Sequence, residues 1–180
     1  MTEGYGESES CMRCQGRCCR TMGCSLSPED MIRALQDRPA TRENIETLLQ
    51  ECNYAIDSFQ NGGHAFYYLR MRHKCFTFIG VDAMGECSML TEHGCSLSFE
   101  DRPKGGRMLE ARENGGCEQH YTREMMIADW NPYQDILDSI WKAWHDRMER
   151  EGIFDRCEEE YMQFQMARRT GSSGDAVRLT

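Results

Sequence analysis

The sequence contains no long apolar run and no apolar leader. A stretch of about 18 consecutive apolar residues, the length of a membrane span, does not occur. The first ten residues, MTEGYGESES, are polar and acidic and lack the basic and apolar regions of a signal peptide. We therefore expect a cytoplasmic protein, in which thiols stay reduced and can bind metal.

Basic charge is also in short supply. Lys and Arg number 21 against 30 Asp and Glu, which gives a formal net charge of −9. No basic stripe interleaved with aromatic residues occurs, and an acidic chain repels the phosphate backbone of nucleic acids. We therefore expect neither nucleic acid nor a membrane surface as a partner. The sequence does not indicate which protein partner, if any, the chain binds.

Cysteine, in contrast, is abundant. The chain has 11 cysteines in 180 residues, too many for a typical cytosolic protein and too few for a small disulfide scaffold. Their odd number also means that disulfides alone cannot use every thiol. The length suits one domain with a real apolar core. We expect a disordered N-terminus over 1–10, a single metal-binding domain over 11–168 and a disordered tail over 169–180.

The first cysteine-rich segment covers residues 11–25 and has almost no apolar side chains. It contains Cys11, Cys14, Cys18, Cys19 and Cys24. Such a segment cannot fold by burial, and metal coordination is the obvious source of order. The C-x2-C spacing of Cys11 and Cys14 lets one tight turn direct two sulfurs at one metal. Because Cys18 and Cys19 are adjacent, they either serve two metals or leave one thiol outside the ligand sphere.

A second region rich in Gly and turns, residues 80–119, offers ligands that could complete the site. Its three cysteines each follow a Gly-containing turn, and all three are predicted ligands: Cys87, Cys95 and Cys117. The alternative for each is a small buried thiol. His93 and His120 lie close to two of these cysteines and could donate nitrogen, but an ordinary polar role is the simpler interpretation.

The remaining cysteines are assigned differently. Cys52 and Cys157 lie on the apolar stripes of predicted helices, which favours a core role for both. Cys24 and Cys75 stay undecided. We find no Ser/His/Asp set and no paired carboxylates at a diagnostic spacing, so the sequence predicts no catalytic residues.

The predicted fold is mainly α with a small β element (α+β), in which metal organises irregular cysteine-rich loops around a helical core. Ser27 and Pro28 predict a helix start, and Thr41 predicts the start of a second helix that runs past Phe59 to the Asn61-Gly62-Gly63 stop. One or two strands are predicted in 65–80, and a long helix from Asn131-Pro132 to Gly152. We expect the N-terminal loop to pack against the 85–117 loops, with the 131–151 helix behind them.

Three segments carry a resemblance to a known family. CMRCQGRCC, LSPEDM and GECSMLTEHGCSLSFEDRPKGGR together resemble the CxxCxxCC cysteine-cluster proteins, the YkgJ-type family, described as zinc- or iron-chelating. The match covers roughly residues 11–120. Two departures stand out. Three residues, not two, separate Cys14 from the Cys pair, and Gly106 occupies the place of the cysteine in the RPxxCR pattern. The resemblance implies that a ligand is missing there, and Cys117 is the natural substitute.

Three functions follow as hypotheses. The first is a metal-binding protein that holds zinc, iron or a 4Fe–4S cluster, because all-thiolate sites suit each of these. The second is an iron–sulfur-dependent enzyme of redox or protein-modifying type. A similar cysteine region occurs in a bacterial flagellin lysine methylase, but no Gly-rich nucleotide loop follows a strand here, so that activity is not carried over. The third is a redox sensor that uses Cys18 and Cys19.

Overall fold

The protein is described by a computed structural model that covers residues 19–20, 23–74, 85–92, 94–112 and 117–155, and the single positions 159, 162, 163 and 166. Over these ranges it is an α+β fold, as predicted. Its elements are α1 (Pro28–Leu35), α2 (Arg42–Glu51), β1 (Tyr54–Asn61), β2 (His64–Met71), β3 (Leu90–Thr91), β4 (Gly94–Cys95), α3 (Lys104–Arg107), β5 (Leu109–Ala111), β6 (Cys117–Gln119), α4 (Arg123–Trp130), a 3-10 turn (Asn131–Tyr133) and α5 (Gln134–Arg150). None of the helices described is both long enough and apolar enough to cross a membrane.

Helix α1 begins where the sequence predicts. The Ser27 side chain accepts from the Asp30 backbone N–H, and the Asp30 carboxylate accepts from the Ser27 N–H, so the two residues form a capping box. Pro28 occupies the first turn. Met31 is buried, whereas the next residue, Ile32, is 48% exposed. Consecutive helical residues point about 100° apart, so only one of these two neighbours can face the core.

The second predicted helix is much shorter than expected, and this prediction is wrong beyond Glu51. Thr41 caps α2 as predicted, but residues 54–61 form β1 and pair along their whole length with β2. Gly62 and Gly63 have φ values of 58° and 87°, which suit a tight hairpin turn rather than a helix stop. The apolar residues at 56 and 59 satisfied a helical period by chance, and pairing with the aromatic strand decided the outcome.

The core lies between the β1–β2 hairpin and the longer helices. Helices α4 and α5 pack on β2, while α2 packs on β1 and on α5. The Gln134 side-chain amide accepts from the Tyr67 N–H at 2.9 Å and donates to the Tyr67 carbonyl at 2.8 Å, so it acts as a strand partner for β2. The Trp130 indole N–H donates to the Leu26 carbonyl at 3.0 Å. The Gln134 bonds hold the start of α5 on β2, and the Trp130 bond holds α4 on the segment 23–26.

The long C-terminal helix therefore has a different role from the one predicted. It begins at Gln134, after α4 and the 3-10 turn. Helix α4 was not expected from the sequence. Leu137, Ile140 and Met148 are buried, and Gly152 follows the helix with φ 62°, as a helix stop requires. Helix α5 packs mainly on β2 and α2, whereas it was expected to support the 85–117 loops.

Residues 23–26 lie along the second edge of β2. The Met71 N–H donates to the Cys24 carbonyl and the Leu26 N–H to the Leu69 carbonyl, each at 2.8 Å, and Ser25 is bridged to Arg70. Gly23 approaches the chain so closely that a Cβ there would overlap the Met71 carbonyl. The end of the N-terminal cysteine segment is thus held against the central hairpin.

Candidate metal centre

The predicted ligands divide into two groups. Cys11, Cys14 and Cys18 lie outside the described residues. So do Cys75, which was undecided, His93, the possible nitrogen ligand, and Cys157, which was assigned a core role. Cys19, Cys87, Cys95 and Cys117 are described, together with Cys24. The geometry below therefore concerns the distal part of the predicted site and the last two cysteines of the N-terminal segment.

A backbone contact joins the N-terminal cysteine cluster to the first distal cysteine. The Cys87 N–H donates to the Cys19 carbonyl at 2.8 Å. On its other side Cys87 is bridged to His73. Two backbone hydrogen bonds flank this bridge: the Lys74 N–H donates to the Glu86 carbonyl, and the Ser88 N–H donates to the Arg72 carbonyl. The continuation of β2 thus holds residues 86–88, and these in turn hold Cys19.

Cys87 begins a tight turn that surrounds its sulfur. The Leu90 N–H donates to the Cys87 carbonyl at 3.0 Å, and the Met89 backbone donates a hydrogen bond to the Cys87 sulfur. Burial raises the pKa of the Cys87 thiol, which is 4% exposed, while the Met89 hydrogen bond opposes that rise. An N–H directed at sulfur is what a metal-bound thiolate needs in place of water.

Cys95 approaches Cys87 through the small β3–β4 hairpin. Leu90 pairs with Cys95 in this hairpin, so the chain returns to the turn at Cys87. The Ser96 N–H donates to the Met89 carbonyl at 2.9 Å, which closes the loop. The hairpin therefore returns Cys95 to the turn that begins at Cys87.

Asp30 connects two of the segments that carry the family resemblance. Its buried carboxylate accepts from the Lys104 N–H at 2.7 Å and from the Arg107 guanidinium at 3.1 Å, besides capping α1 through Ser27. The LSPED segment and the RPKGGR segment are therefore one structural unit. The sequence predicts Asp30 as an acidic residue in the first turn of a helix. It does not predict the contact with Lys104 and Arg107, because these residues lie more than 70 positions away.

The two glycines of RPKGGR allow α3 to approach the segment 23–26. The Gly105 N–H donates to the Ser25 carbonyl at 3.0 Å, and a Cβ on Gly105 would lie only 2.7 Å from that oxygen. A Cβ on Gly106 would lie 3.1 Å from the sulfur of Cys24. Cys24, undecided from the sequence, is thus the thiol beside position 106.

Cys117 lies further away along the β5–β6 hairpin. It pairs with Ala111 at the end of the hairpin remote from α3, whereas Gln119 pairs with Leu109 at the near end. The Cys117 side chain is half-buried. Its role as the substitute ligand stays a prediction.

A different group of potential ligands lies on the same hairpin. Glu110, Glu118 and His120 have ligand atoms within 4.8 Å of one another, and within the described ranges no other three His, Cys, Asp or Glu side chains meet that criterion. His120 contacts Glu110 at 2.8 Å and Arg112 forms an ion pair with Glu118, so these exposed groups already have partners of their own. The sulfurs of the described cysteines are less tightly gathered than this group.

The donor atoms present nevertheless fit a thiolate-held metal. Cys24, Cys52, Cys87 and Cys95 are thiols. Soft thiolates select zinc and iron–sulfur clusters over hard cations. Of these four, Cys52 differs: it is the half-buried C-cap of α2, with its N–H donated to the Leu48 carbonyl, rather than part of a helical apolar stripe.

A cleft of about 470 Å³ lies beside Cys24. Its walls include Cys24 and Gly105 on one side and Tyr68, Tyr121 and Arg123 on the other. Burial raises the pKa of Tyr68 and of Tyr121, so both hydroxyls stay protonated at neutral pH. Arg123 lies 4.5 Å above the Phe59 ring, at the edge of the cleft. Sequence reasoning missed this cleft, since its walls come from four separate segments.

Comparisons with known proteins add no assignment. No family model, no curated protein and no solved structure matches this chain significantly.

Proposed function

We propose that this chain is a cytoplasmic metal-binding protein. In this proposal zinc or an iron–sulfur cluster is held by the Cys11/Cys14/Cys18/Cys19 cluster and completed by distal cysteines. The observation that carries it is the 2.8 Å bond from the Cys87 N–H to the Cys19 carbonyl, because it brings the end of the N-terminal cluster to the first distal cysteine. The motif resemblance, including its YkgJ-type CxxCxxCC pattern, supports the same function.

The local chemistry at Cys87 adds a second support. A buried thiol is normally a poor metal ligand, since burial disfavours the thiolate. Here the Met89 N–H, and more distantly Arg70 and Lys74, favour the charged form. A bound cation would supply the remaining stabilisation, because metal binding releases the thiol proton.

The direct test is anaerobic purification followed by elemental analysis and a visible spectrum. Stoichiometric zinc in a colourless protein would support a structural site, and a brown protein with iron and sulfide would support a cluster. Cys87→Ser should lose more than half of the bound metal, while Cys52→Ser, at a half-buried thiol outside the proposed ligand set, should keep it. A wild-type protein without zinc or iron under these conditions would refute the proposal.

One observation favours the iron–sulfur enzyme as a second candidate. The cleft beside Cys24 is large enough for a small substrate and contains a cation and two protonated hydroxyls. An enzyme would require a redox-active cluster near this cleft. A zinc-loaded protein that does not change its spectrum with dithionite would exclude this candidate and leave the binding function intact.

A further inference from the structure

The space that a side chain at position 106 would enter is bounded by a sulfur atom. Gly106 is buried, and a Cβ built there would meet the Cys24 Sγ at 3.1 Å. Its next neighbour is the Arg102 Cβ at 3.4 Å. The thiol of Cys24 and a thiol at position 106 would therefore project into the same small region.

Backbone contacts, and not a mobile side chain, produce this juxtaposition. The Cys24 carbonyl accepts from the Met71 N–H at 2.8 Å, which fixes Cys24 on β2. The Gly105 N–H donates to the Ser25 carbonyl at 3.0 Å, and Asp30 holds the start of α3 through the Lys104 N–H. Both partners of the contact are thus anchored independently.

The same junction contains a buried hydroxyl without a hydrogen-bond partner. Ser25 is 7% exposed, and its Oγ faces Gly105, one residue from the Cys24–Gly106 contact. Buried hydroxyls normally find a partner, so the Ser25 Oγ leaves an unsatisfied polar atom at the junction beside Cys24.

Cys24 is also connected to the other described cysteines. The N–H of Gly23, the preceding residue, donates to the His73 Nε2 at 3.3 Å. His73 is bridged to Cys87, and Cys87 is bonded to Cys19. Cys24 therefore lies on the same end of β2 as the site proposed above.

We propose that Cys24 supplies the thiolate that the RPxxCR pattern places at position 106. This inference rests on the proposed function, and it names a ligand that the sequence left undecided. Cys117, the substitute suggested by the sequence, pairs with Ala111 at the remote end of its hairpin and is a weaker candidate.

A positional exchange of the thiol tests the proposal. Cys24→Ser should reduce zinc or iron per chain to less than half of the wild-type value. The double variant Cys24→Ser/Gly106→Cys should restore it, because its new sulfur enters the same region from the opposite side. Cys52→Ser should retain full metal, and Gly106→Ala measures the effect of the added Cβ alone. The proposal is overturned if Cys24→Ser retains full metal or if the double variant binds no more than Cys24→Ser.

A second measurement uses the unmodified protein. In wild type loaded with metal, Cys24 should resist alkylation by iodoacetamide and become reactive after chelation, as read by peptide mass spectrometry. Cys52, which is similarly half-buried, should react equally in both states. Equal reactivity of Cys24 in both states would overturn the proposal, whereas a wild-type chain that binds no metal at all would refute the proposed function itself.

Discussion

At the residue scale, the buried Asp30 carboxylate connects helices α1 and α3. It is 6% exposed, and it bonds α1 to α3 through backbone N–H groups and the Arg107 guanidinium. A buried carboxylate is tolerated only when its oxygens are satisfied, and here both oxygens accept hydrogen bonds. These hydrogen bonds explain why the charged Asp30 side chain is buried beside Pro103, Gly105 and Gly106.

We predict that Asp30→Ala destabilises the protein by about 2–4 kcal/mol, because it removes a helix cap and leaves buried donors unpaired. Chemical denaturation monitored by circular dichroism measures the change. Asp37→Ala, at an exposed position after the same helix, is the control and should alter the free energy of unfolding by less than about 0.5 kcal/mol. Equal effects of the two substitutions would contradict the role of Asp30.

A second residue-scale prediction concerns Asp129. Its Oδ2 accepts from the Tyr121 hydroxyl and from the Lys104 ammonium, each at 2.8 Å. Burial pushes the Asp129 pKa upward, but these two donors outweigh burial and leave it lowered. A carboxylate whose pKa is lower when folded stabilises the fold above its unfolded pKa, about 4, and this stabilisation disappears as pH falls through the folded value.

Asp129→Asn should therefore be less stable than wild type by about 1 kcal/mol at pH 7. The difference should shrink as the pH falls below about 4, where the wild-type carboxylate becomes protonated. Urea unfolding curves at a series of pH values measure it, with Asp135→Asn on the exposed first turn of α5 as the control. A difference that grows as the pH falls would contradict the assignment.

At the element scale, the short helix α3 can lie close to the segment 23–26 because two of its residues are glycines without side chains. Gly105 and Gly106 face the segment 23–26, but their surroundings differ. The Cβ of an alanine at 105 would meet the Ser25 carbonyl, which is fixed in the backbone, whereas that of an alanine at 106 would meet the movable Cys24 thiol. The same added methyl group thus encounters a rigid neighbour in one case and an adaptable one in the other.

We predict that Gly105→Ala destabilises the protein by about 1–3 kcal/mol and that Gly106→Ala costs distinctly less. Thermal unfolding of the two variants, compared with wild type, measures the difference. The pair controls for helix propensity, since both alanines enter the same turn of α3. If Gly106→Ala proved the more damaging, the close approach of α3 to Ser25 would be incorrect.

At the scale of the whole molecule, apolar burial and cysteine chemistry occupy different places. The β1–β2 hairpin and helices α2, α4 and α5 form the core, with Trp130, Leu137 and Ile140 fully buried. The segment 85–95 is attached to the continuation of β2 by backbone bonds, and among its described residues the buried apolar side chains are Cys87 and Leu90. The core should therefore persist without metal, while the cysteine segment should depend on it.

We expect a chelator, under reducing conditions, to increase amide hydrogen exchange in residues 85–95 while exchange in β1, β2 and α5 stays unchanged. The physical reason is that the core retains its apolar burial, whereas the cysteine segment loses its coordinate bonds. Hydrogen-exchange mass spectrometry on metal-loaded and stripped protein measures this. Unchanged exchange in 85–95 would show that metal does not order the distal segment.

The sequence by itself determined the features that depend on near neighbours. The start of α1 at Ser27 and the stop at Gly152 follow from caps and backbone conformations, and each was confirmed. The α+β class followed from apolar periodicity and the aromatic run. The cysteine pattern likewise predicts metal binding, because thiol spacing is local chemistry, and that prediction stands on the motifs.

Only the tertiary structure decided features that depend on distant partners. Residues 54–61 became β1 because β2 pairs with them, although their spacing also suits a helix. Asp30 reaches α3, and Cys24 rather than Cys117 lies beside Gly106, because packing joins segments about 80 residues apart. A sequence pattern reports the period and chemistry of one segment, whereas burial and hydrogen bonding choose among the segments that could meet.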